Sequence, residues 1–214
     1  MVAFTGGSRI EVDINGLRNR LADIMGGQNV RILFKSKSVN NQTLNFDVLN
    51  YMLKKRKRPN GGPTKVLILN LVRAHPYIFN LLKKKGIDTS DLVFIDGLFN
   101  ISGDSRKYSE QAILLPTPFS KTFEEDIFKI LNENPGIDFL LIDDIVALQN
   151  YWSIERIENF LEKLSMVLSG MGDPPVIIIA DSTKDERILT AAEAICDKVI
   201  LVDGLRVINL PSTT

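Results

Sequence analysis

The stretch VRILFKSKSVNNQTLNF, residues 30–46, decides the fold, because a short apolar run is followed there by a polar segment and then a helical pattern. The run Val30–Phe34 has no polar alternation, which is typical of a strand covered on both faces. The segment Leu44–Lys55 carries apolar residues at helical spacing. A strand followed by a helix is the beginning of a βαβ unit, so this stretch indicates a parallel sheet.

The same alternation continues in both directions from this stretch. Further apolar runs predict strands at Lys65–Leu71, Asp91–Asp96, Asp138–Asp143, Val176–Asp181, Lys198–Asp203 and Arg206–Leu210. Amphipathic segments predict helices at Leu17–Met25, Pro76–Lys85, Phe123–Asn132, Ile154–Leu168 and Asp185–Ala194. Strands that alternate with helices predict the α/β class, with three αβα layers around a mostly parallel sheet.

Composition limits the classes of protein to consider. The 214 residues include 26 Lys plus Arg and 26 Asp plus Glu, so there is no overall basic excess for nucleic acid. The single Cys196 fits a reducing compartment and is interpreted as a buried core thiol. No signal peptide or membrane span is visible, so we expect a cytoplasmic protein. We expect a single domain over 1–214, with an N-terminal helical extension at 1–28 and a core at 29–210.

The polar segment after the first strand lies where a phosphate-binding loop of the pattern G-x-x-x-x-G-K-[ST] belongs. Ser36 and Asn41 stand at the two glycine positions, and Gln42 stands at the lysine position. Only Thr43 matches the pattern. The remnant nucleotide-binding set is therefore Ser36, Lys37, Ser38, Asn40, Asn41, Gln42 and Thr43.

The fourth strand of the core ends in LLIDDIVAL, residues 140–148. An apolar strand that ends in an acid is the pattern of a Walker B element, whose carboxylate holds magnesium. Asp143 takes that position as a remnant metal ligand together with Thr43, and Asp144 flanks it. The alternative interpretation is that Asp143 and Asp144 cap the following turn.

The order of these elements resembles the RecA/KaiC-like P-loop NTPases. Two stretches carry the resemblance, KVLILNLVRAHPYIFNLLKKKGIDTSDLVFIDG at 65–97 and AAEAICDKVILVDG at 191–204. The resemblance covers about Asn29 to Leu210 and implies a RecA-like sheet that ends in a C-terminal hairpin. It further implies an archaeal-type cytoplasmic protein, with DNA repair, motility or signalling as its setting.

The chain departs from this family where hydrolysis needs a base. Members usually carry a glutamate just after the second strand, but this chain has Asn70 there and no acid before Asp88. An amide cannot accept a proton from water as a carboxylate does. We therefore expect a pseudo-ATPase without a cofactor that acts as a binding, assembly or regulatory subunit, with a protein partner or a homo-oligomer and no membrane.

Two alternatives remain open at this point. The first is a slow magnesium-dependent ATPase with a reorganised loop that uses Lys35 or Lys37 with Thr43 and Asp143. The second is a DNA-repair or nucleic-acid accessory protein that binds through the basic run Lys54–Arg58, although this run is first interpreted as a solvated helix end.

A few polar residues remain at the edge of the sheet where ligands bind in such folds. Arg73, His75, Asp144 and Asp181 are predicted to lie at a ligand-facing or protomer-facing edge. His75 has no orienting partner or nucleophile that the sequence identifies. Ser182 or Thr183 is interpreted as the cap of the next helix, and Tyr151-Trp152 is interpreted as core or interface.

Overall fold

The computed structural model describes residues 8–13, 17, 23–24, 30–55, 65–97 and 106–203. Its strands are β1 Ser8–Asp13, β2 Arg31–Ser36, β3 Val66–Asn70, β4 Leu92–Asp96, β5 Arg106–Ser109, β6 Ala112–Leu114, β7 Phe139–Asp143, β8 Val176–Asp181 and β9 Lys198–Asp203. Its helices are α1 Ser38–Lys55, α2 His75–Lys84, α3 Phe123–Asn132, α4 Ile154–Gly170 and α5 Glu186–Ala194, with a 3₁₀ helix at Ile145–Asn150.

All these strands form one sheet in the order β1-β9-β2-β8-β7-β3-β4-β6-β5. Every neighbouring pair is parallel except β5 and β6, which are antiparallel at one edge. The central strands β3 and β7 are buried at every position because helices cover both faces. The predicted α/β class with a mostly parallel sheet is confirmed.

Two hydrophobic clusters lie on the two faces of the sheet. One cluster joins alternate strand residues such as Leu67 and Leu140 to α3, α4 and α5. The other joins the intervening residues, such as Ile68 and Leu141, to α1 and α2. Since side chains alternate along a strand, each apolar run supplies both clusters, and this explains why the runs show no polar alternation.

Helix α1 begins earlier than its apolar pattern predicts. The pattern places its start at Leu44, whereas the helix begins at Ser38, with only Lys37 between it and β2. Residues 38–43 contain no glycine or proline, so nothing in this segment interrupts helical geometry. The prediction of a loop over residues 36–43 is therefore wrong.

The prediction for the N-terminal extension is only partly right, and the predicted C-terminal strand lies outside the described residues. The extension at 1–28, predicted as helical, contributes strand β1, which pairs in parallel with β9; residues 17, 23 and 24 are helical. The predicted strand Arg206–Leu210 with its hairpin lies outside the described residues, as do Arg56–Arg58 of the basic run. None of the described helices is long and apolar enough to cross a bilayer.

Candidate functional site

Buried polar side chains gather at the carboxyl edge of the sheet. Of the seven polar or charged side chains that are buried in the described part of the chain, five are the last residue of a strand. These five are Ser36, Asn70, Asp96, Asp143 and Asp181. Burying polar groups is costly unless something compensates for it. This edge is therefore the candidate functional site.

Strand register brings three of these residues into one row. Asn70 on β3 is aligned with Asp143 on β7 and with Asp96 on β4. Each lies two residues after a member of the cluster under α1 and α2, respectively Ile68, Leu141 and Phe94. The period of two along a strand therefore places all three side chains on the α1/α2 face.

Asp143 is held by two neighbours. The amide Nδ2 of Asn45 on α1 donates to Asp143 Oδ1 at 2.6 Å. The Arg73 guanidinium Nη1 lies 3.6 Å from Asp143 Oδ2, which is beyond hydrogen-bond distance. Burial raises the pKa of Asp143, and the Arg73 charge and the Asn45 hydrogen bond only partly oppose this effect. This carboxyl group therefore has one occupied and one open oxygen.

A small cavity adjoins Asp143 between α1, α2, β3 and β7. Its volume is about 10 Å³, which is room for about one water molecule. Its polar lining consists of Asn45, Asn70, Arg73, Tyr77 and Asp143. Among the side chains of this lining, four buried atoms make no hydrogen bond within the described part of the chain, namely Asn45 Oδ1, Asn70 Oδ1, Asn70 Nδ2 and Asp143 Oδ2. Buried polar atoms rarely lack a partner, so this cavity is arranged to receive a polar group.

His75 has the orienting partner that the sequence did not identify. The Asp96 Oδ2 atom accepts the His75 backbone N–H at 2.8 Å and lies 3.2 Å from His75 Nδ1. Asp96 thereby fixes both the imidazole ring and the first residue of α2. A carboxylate beside Nδ1 is the arrangement that sets the tautomer of a functional histidine.

The lysine proposed for a reorganised phosphate loop lies on the opposite face of the sheet. Lys35 Nζ is 2.7 Å from Glu193 Oε1 on α5. Ser36, one residue later on β2, is buried, and Lys37 is exposed. The structure therefore does not bring Lys35 to the edge where Asp143 lies. Residues Ser38–Thr43, predicted as the remnant loop, form the first turns of α1.

The remaining predicted edge residues, Asp144 and Asp181, lie beside each other. Asp144 Oδ1 accepts the Asp181 backbone N–H at 3.2 Å. Burial, with further contributions from the Asp143 and Asp181 charges, raises the pKa of Asp144 to about 6. Asp181 Oδ1 accepts the backbone N–H and the hydroxyl of Thr183 at 3.0 and 2.8 Å.

The cap of α5 is Asp185, whose side chain accepts the Arg187 N–H. The prediction of Ser182 or Thr183 as this cap is wrong because the turn 182–184 separates both residues from the helix.

We expect Asp144→Asn to remove part of the pH dependence of stability. The folded pKa of Asp144, about 6, lies above the ordinary value of 3.8, so the native state binds the proton more tightly than the unfolded state. Between these two values the contribution of Asp144 to the free energy of unfolding therefore falls as pH rises. Asparagine keeps the Oδ1 acceptor and tolerates the φ of 50° at this position.

The measurement is urea unfolding of both proteins at about pH 3 and about pH 7, outside the interval between the two pKa values. The variant should lose less stability than the wild type across this range. Asp143, whose pKa is raised in the same direction, keeps its own contribution in both proteins. Equal losses in the two proteins would contradict the prediction.

Sequence reasoning missed Asn45 and Tyr77. Asn45 lies three and four residues before the buried Val48 and Leu49, on the apolar face of α1. A polar residue on an apolar face is a signal that could have identified it. Tyr77 gave no comparable signal.

Trp152 is a core residue, as predicted, because it is buried and packs with Phe123 and Phe160. Burial raises the pKa of the Cys196 thiol, which packs against the same cluster.

No family model and no curated protein matches this sequence. Solved structures with a similar arrangement include the KaiC-like protein PH0186 from Pyrococcus horikoshii OT3, at 15% identity and a TM-score of 0.49 over 81% of this chain and 71% of that chain. They also include the flagellar accessory protein FlaH from Methanocaldococcus jannaschii, at 13% identity and a TM-score of 0.49 over 86% and 76% of the two chains. A KaiC-like protein is thus among the structures with a similar arrangement, as the resemblance predicted.

Proposed function

We propose that this chain is a catalytically degenerate protein of the RecA/KaiC-like ATPase fold that acts as a binding, assembly or regulatory subunit. The observation that carries the proposal is the start of α1 at Ser38, with only Lys37 between the helix and the end of β2. A phosphate-binding loop needs several residues whose backbone wraps around the phosphates. Here Ser36 ends β2 and residues 38–43 are helical, so the backbone has no loop with which to enclose a triphosphate.

The residues at the edge of the sheet support the same proposal. Asn70 occupies the strand end where a base would act, and an amide does not take a proton from water. Asp143 Oδ1 already accepts from Asn45, so only one of its oxygens is open. Lys35 is engaged with Glu193 on the opposite face. Phosphoryl transfer requires a base or water-positioning group, a metal ligand and a phosphate-binding cation, and each of these features leaves one of the three missing or partly occupied.

A binding role is supported by exposed apolar side chains beside this edge. Val72 and Tyr77 are 39% and 50% exposed and lie on either side of Arg73 in the sequence. Tyrosine and arginine are enriched among the residues that dominate protein interfaces. The edge that would receive a nucleotide in an active relative therefore offers a surface to a protein partner or to a second copy of the chain.

The test is titration calorimetry with ATP and magnesium, together with a phosphate-release assay. We expect no saturable heat and no phosphate release above the level of a buffer blank. The matched control is Asp143→Asn, which keeps an oxygen for Asn45 and removes the charge that would hold a metal ion. A dissociation constant below about 100 µM, equivalent to about 5.5 kcal/mol, would overturn the proposal if Asp143→Asn abolished the binding. That result would favour the slow ATPase.

A further inference from the structure

The buried atoms without a partner in the cavity beside Asp143 include more acceptors than donors. Three oxygens are open, Asn45 Oδ1, Asn70 Oδ1 and Asp143 Oδ2, while the only open nitrogen is Asn70 Nδ2. Asn70 is fully buried and Asp143 is 1% exposed, so bulk water does not satisfy these atoms. A group that fills the cavity must therefore be small and rich in hydrogen-bond donors.

The cavity has a route to solvent. Arg73 and Tyr77 line it, and their side chains are 24% and 50% exposed. The rest of the lining is apolar and comes from Leu49, Ile68, Ile78 and Leu141. A ligand that enters past Arg73 and Tyr77 thus meets aliphatic side chains as well as the three open oxygens, a combination that suits an alkyl chain with a polar tip.

We propose that this cavity binds a primary ammonium group. An alkylammonium tip carries three N–H donors, one for each open oxygen, and its nitrogen is about the size of a water molecule. A water molecule supplies two donors and can accept from Asn70 Nδ2, so it leaves one of the three oxygens without a partner, whereas the ammonium pairs with all three oxygens and leaves Asn70 Nδ2 without one. The Asp143 carboxylate complements a positive charge and repels an anion. The inference goes beyond the proposed function, since it does not depend on whether ATP is hydrolysed.

Arg73 acts as a replaceable counter-charge in this arrangement. Its guanidinium lies 3.6 Å from Asp143 Oδ2, so it offers charge but leaves that oxygen without a hydrogen bond. An incoming ammonium supplies both the charge and the hydrogen bond. The two cations compete for one carboxylate, and removal of the guanidinium should therefore strengthen amine binding.

The experiment is an NMR titration of the ¹⁵N-labelled full chain with methylammonium chloride. Saturable shifts are expected for the side-chain NH₂ signals of Asn45 and Asn70 and for the backbone amides of β3 and β7. Tetramethylammonium chloride at equal concentration is the matched control, because it has the same charge but no N–H donor. Equal shifts with both salts, or no saturable shift with methylammonium, would overturn the proposal.

Two variants test the assigned roles separately. Asn70→Val removes one of the three oxygens and should weaken methylammonium binding by about tenfold, the usual effect of losing a hydrogen bond to a charged group. Arg73→Gln, at a partly exposed position, should strengthen the binding severalfold because it removes the competing cation. Weaker binding by Arg73→Gln, or unchanged binding by Asn70→Val, would contradict the assignment.

The ammonium group has two possible sources, a free alkylamine or the lysine side chain of a protein partner. A second titration uses Nα-acetyl-lysine-N-methylamide, which keeps the free ε-amine and the stem of a lysine in a peptide. Tighter binding than methylammonium would support a lysine from a partner, since the stem then packs against the apolar walls. Equal or weaker binding would support a free amine. The ATP calorimetry is a separate measurement, so either proposal can fail while the other stands.

Discussion

Replacing Asn70 by valine should stabilise the fold by about 1–3 kcal/mol, the cost of burying polar atoms without hydrogen bonds. Neither polar atom of the Asn70 side chain has a partner within the protein, and the residue is fully buried at the end of β3. Valine fits a strand better than asparagine and removes two uncompensated polar atoms. The melting temperature should rise by roughly 2–4 °C for each kcal/mol.

The same substitution at Asn45 serves as the matched control, because we expect it to lower the free energy of unfolding rather than raise it. Asn45 donates to Asp143 Oδ1 at 2.6 Å, so Asn45→Val leaves a buried carboxyl group without its hydrogen bond. We expect a loss of about 1–3 kcal/mol. Differential scanning calorimetry of both variants in an amine-free buffer provides the comparison. A lower melting temperature for Asn70→Val would mean that the native amide is satisfied by something other than the protein.

Trp152→Ala should destabilise the protein by about 3–5 kcal/mol, the typical cost of removing a buried aromatic side chain. Trp152 is 5% exposed and packs edge-on against Phe123 and Phe160, with ring centroids 5.5 and 5.6 Å away. Its Nε1–H donates to the Pro118 carbonyl at 2.6 Å. The indole therefore joins the 118–123 segment to α4 through packing and through a hydrogen bond.

Trp152→Phe separates these two contributions, since it keeps an aromatic ring and removes the N–H donor. We expect it to cost about 1–3 kcal/mol, because the Pro118 carbonyl then lacks its donor. Urea unfolding followed by far-UV circular dichroism suits both variants, as they lack the only tryptophan of the chain. A loss below about 1 kcal/mol for Trp152→Ala would contradict a core role and would be typical of a surface residue.

The periodicity of the sequence predicted most of the regular elements. Helix α3 and strands β8 and β9 begin and end where the apolar pattern places them. The agreement has a physical cause, because a strand buried on both faces must be apolar throughout. The pattern failed at residues 38–43, where polar residues without glycine continue a helix as readily as they form a loop. It also missed β1 and the β5–β6 pair at the edges, where strands need less burial and give weaker signals.

The candidate site was predicted only in part. Asp143 was identified because an acid at the end of an apolar run is the pattern of a Walker B element. Asn70 was noted only as the residue that stands where the resembled family carries a glutamate, and it was not predicted as a site residue. The partner of Asp143, Asn45, comes from a helix 98 residues away in sequence, and no local pattern links the two. The contact between His75 and Asp96 likewise depends on β3 and β4 being neighbours in the sheet. Spacing along the chain does not encode such contacts.

The sequence by itself determined the α/β alternation and the polar residues that end the strands. It also determined that the segment after the first core strand has no glycine and has Gln42 where the phosphate-binding pattern has a lysine. These are local properties, since each depends on the residues within one or two elements. Only the tertiary structure decided that Asn45, Asn70 and Asp143 share one cavity while Lys35 lies on the other face. Strand order and the alternation of side chains set that outcome, because they determine which distant residues meet at one edge of the sheet.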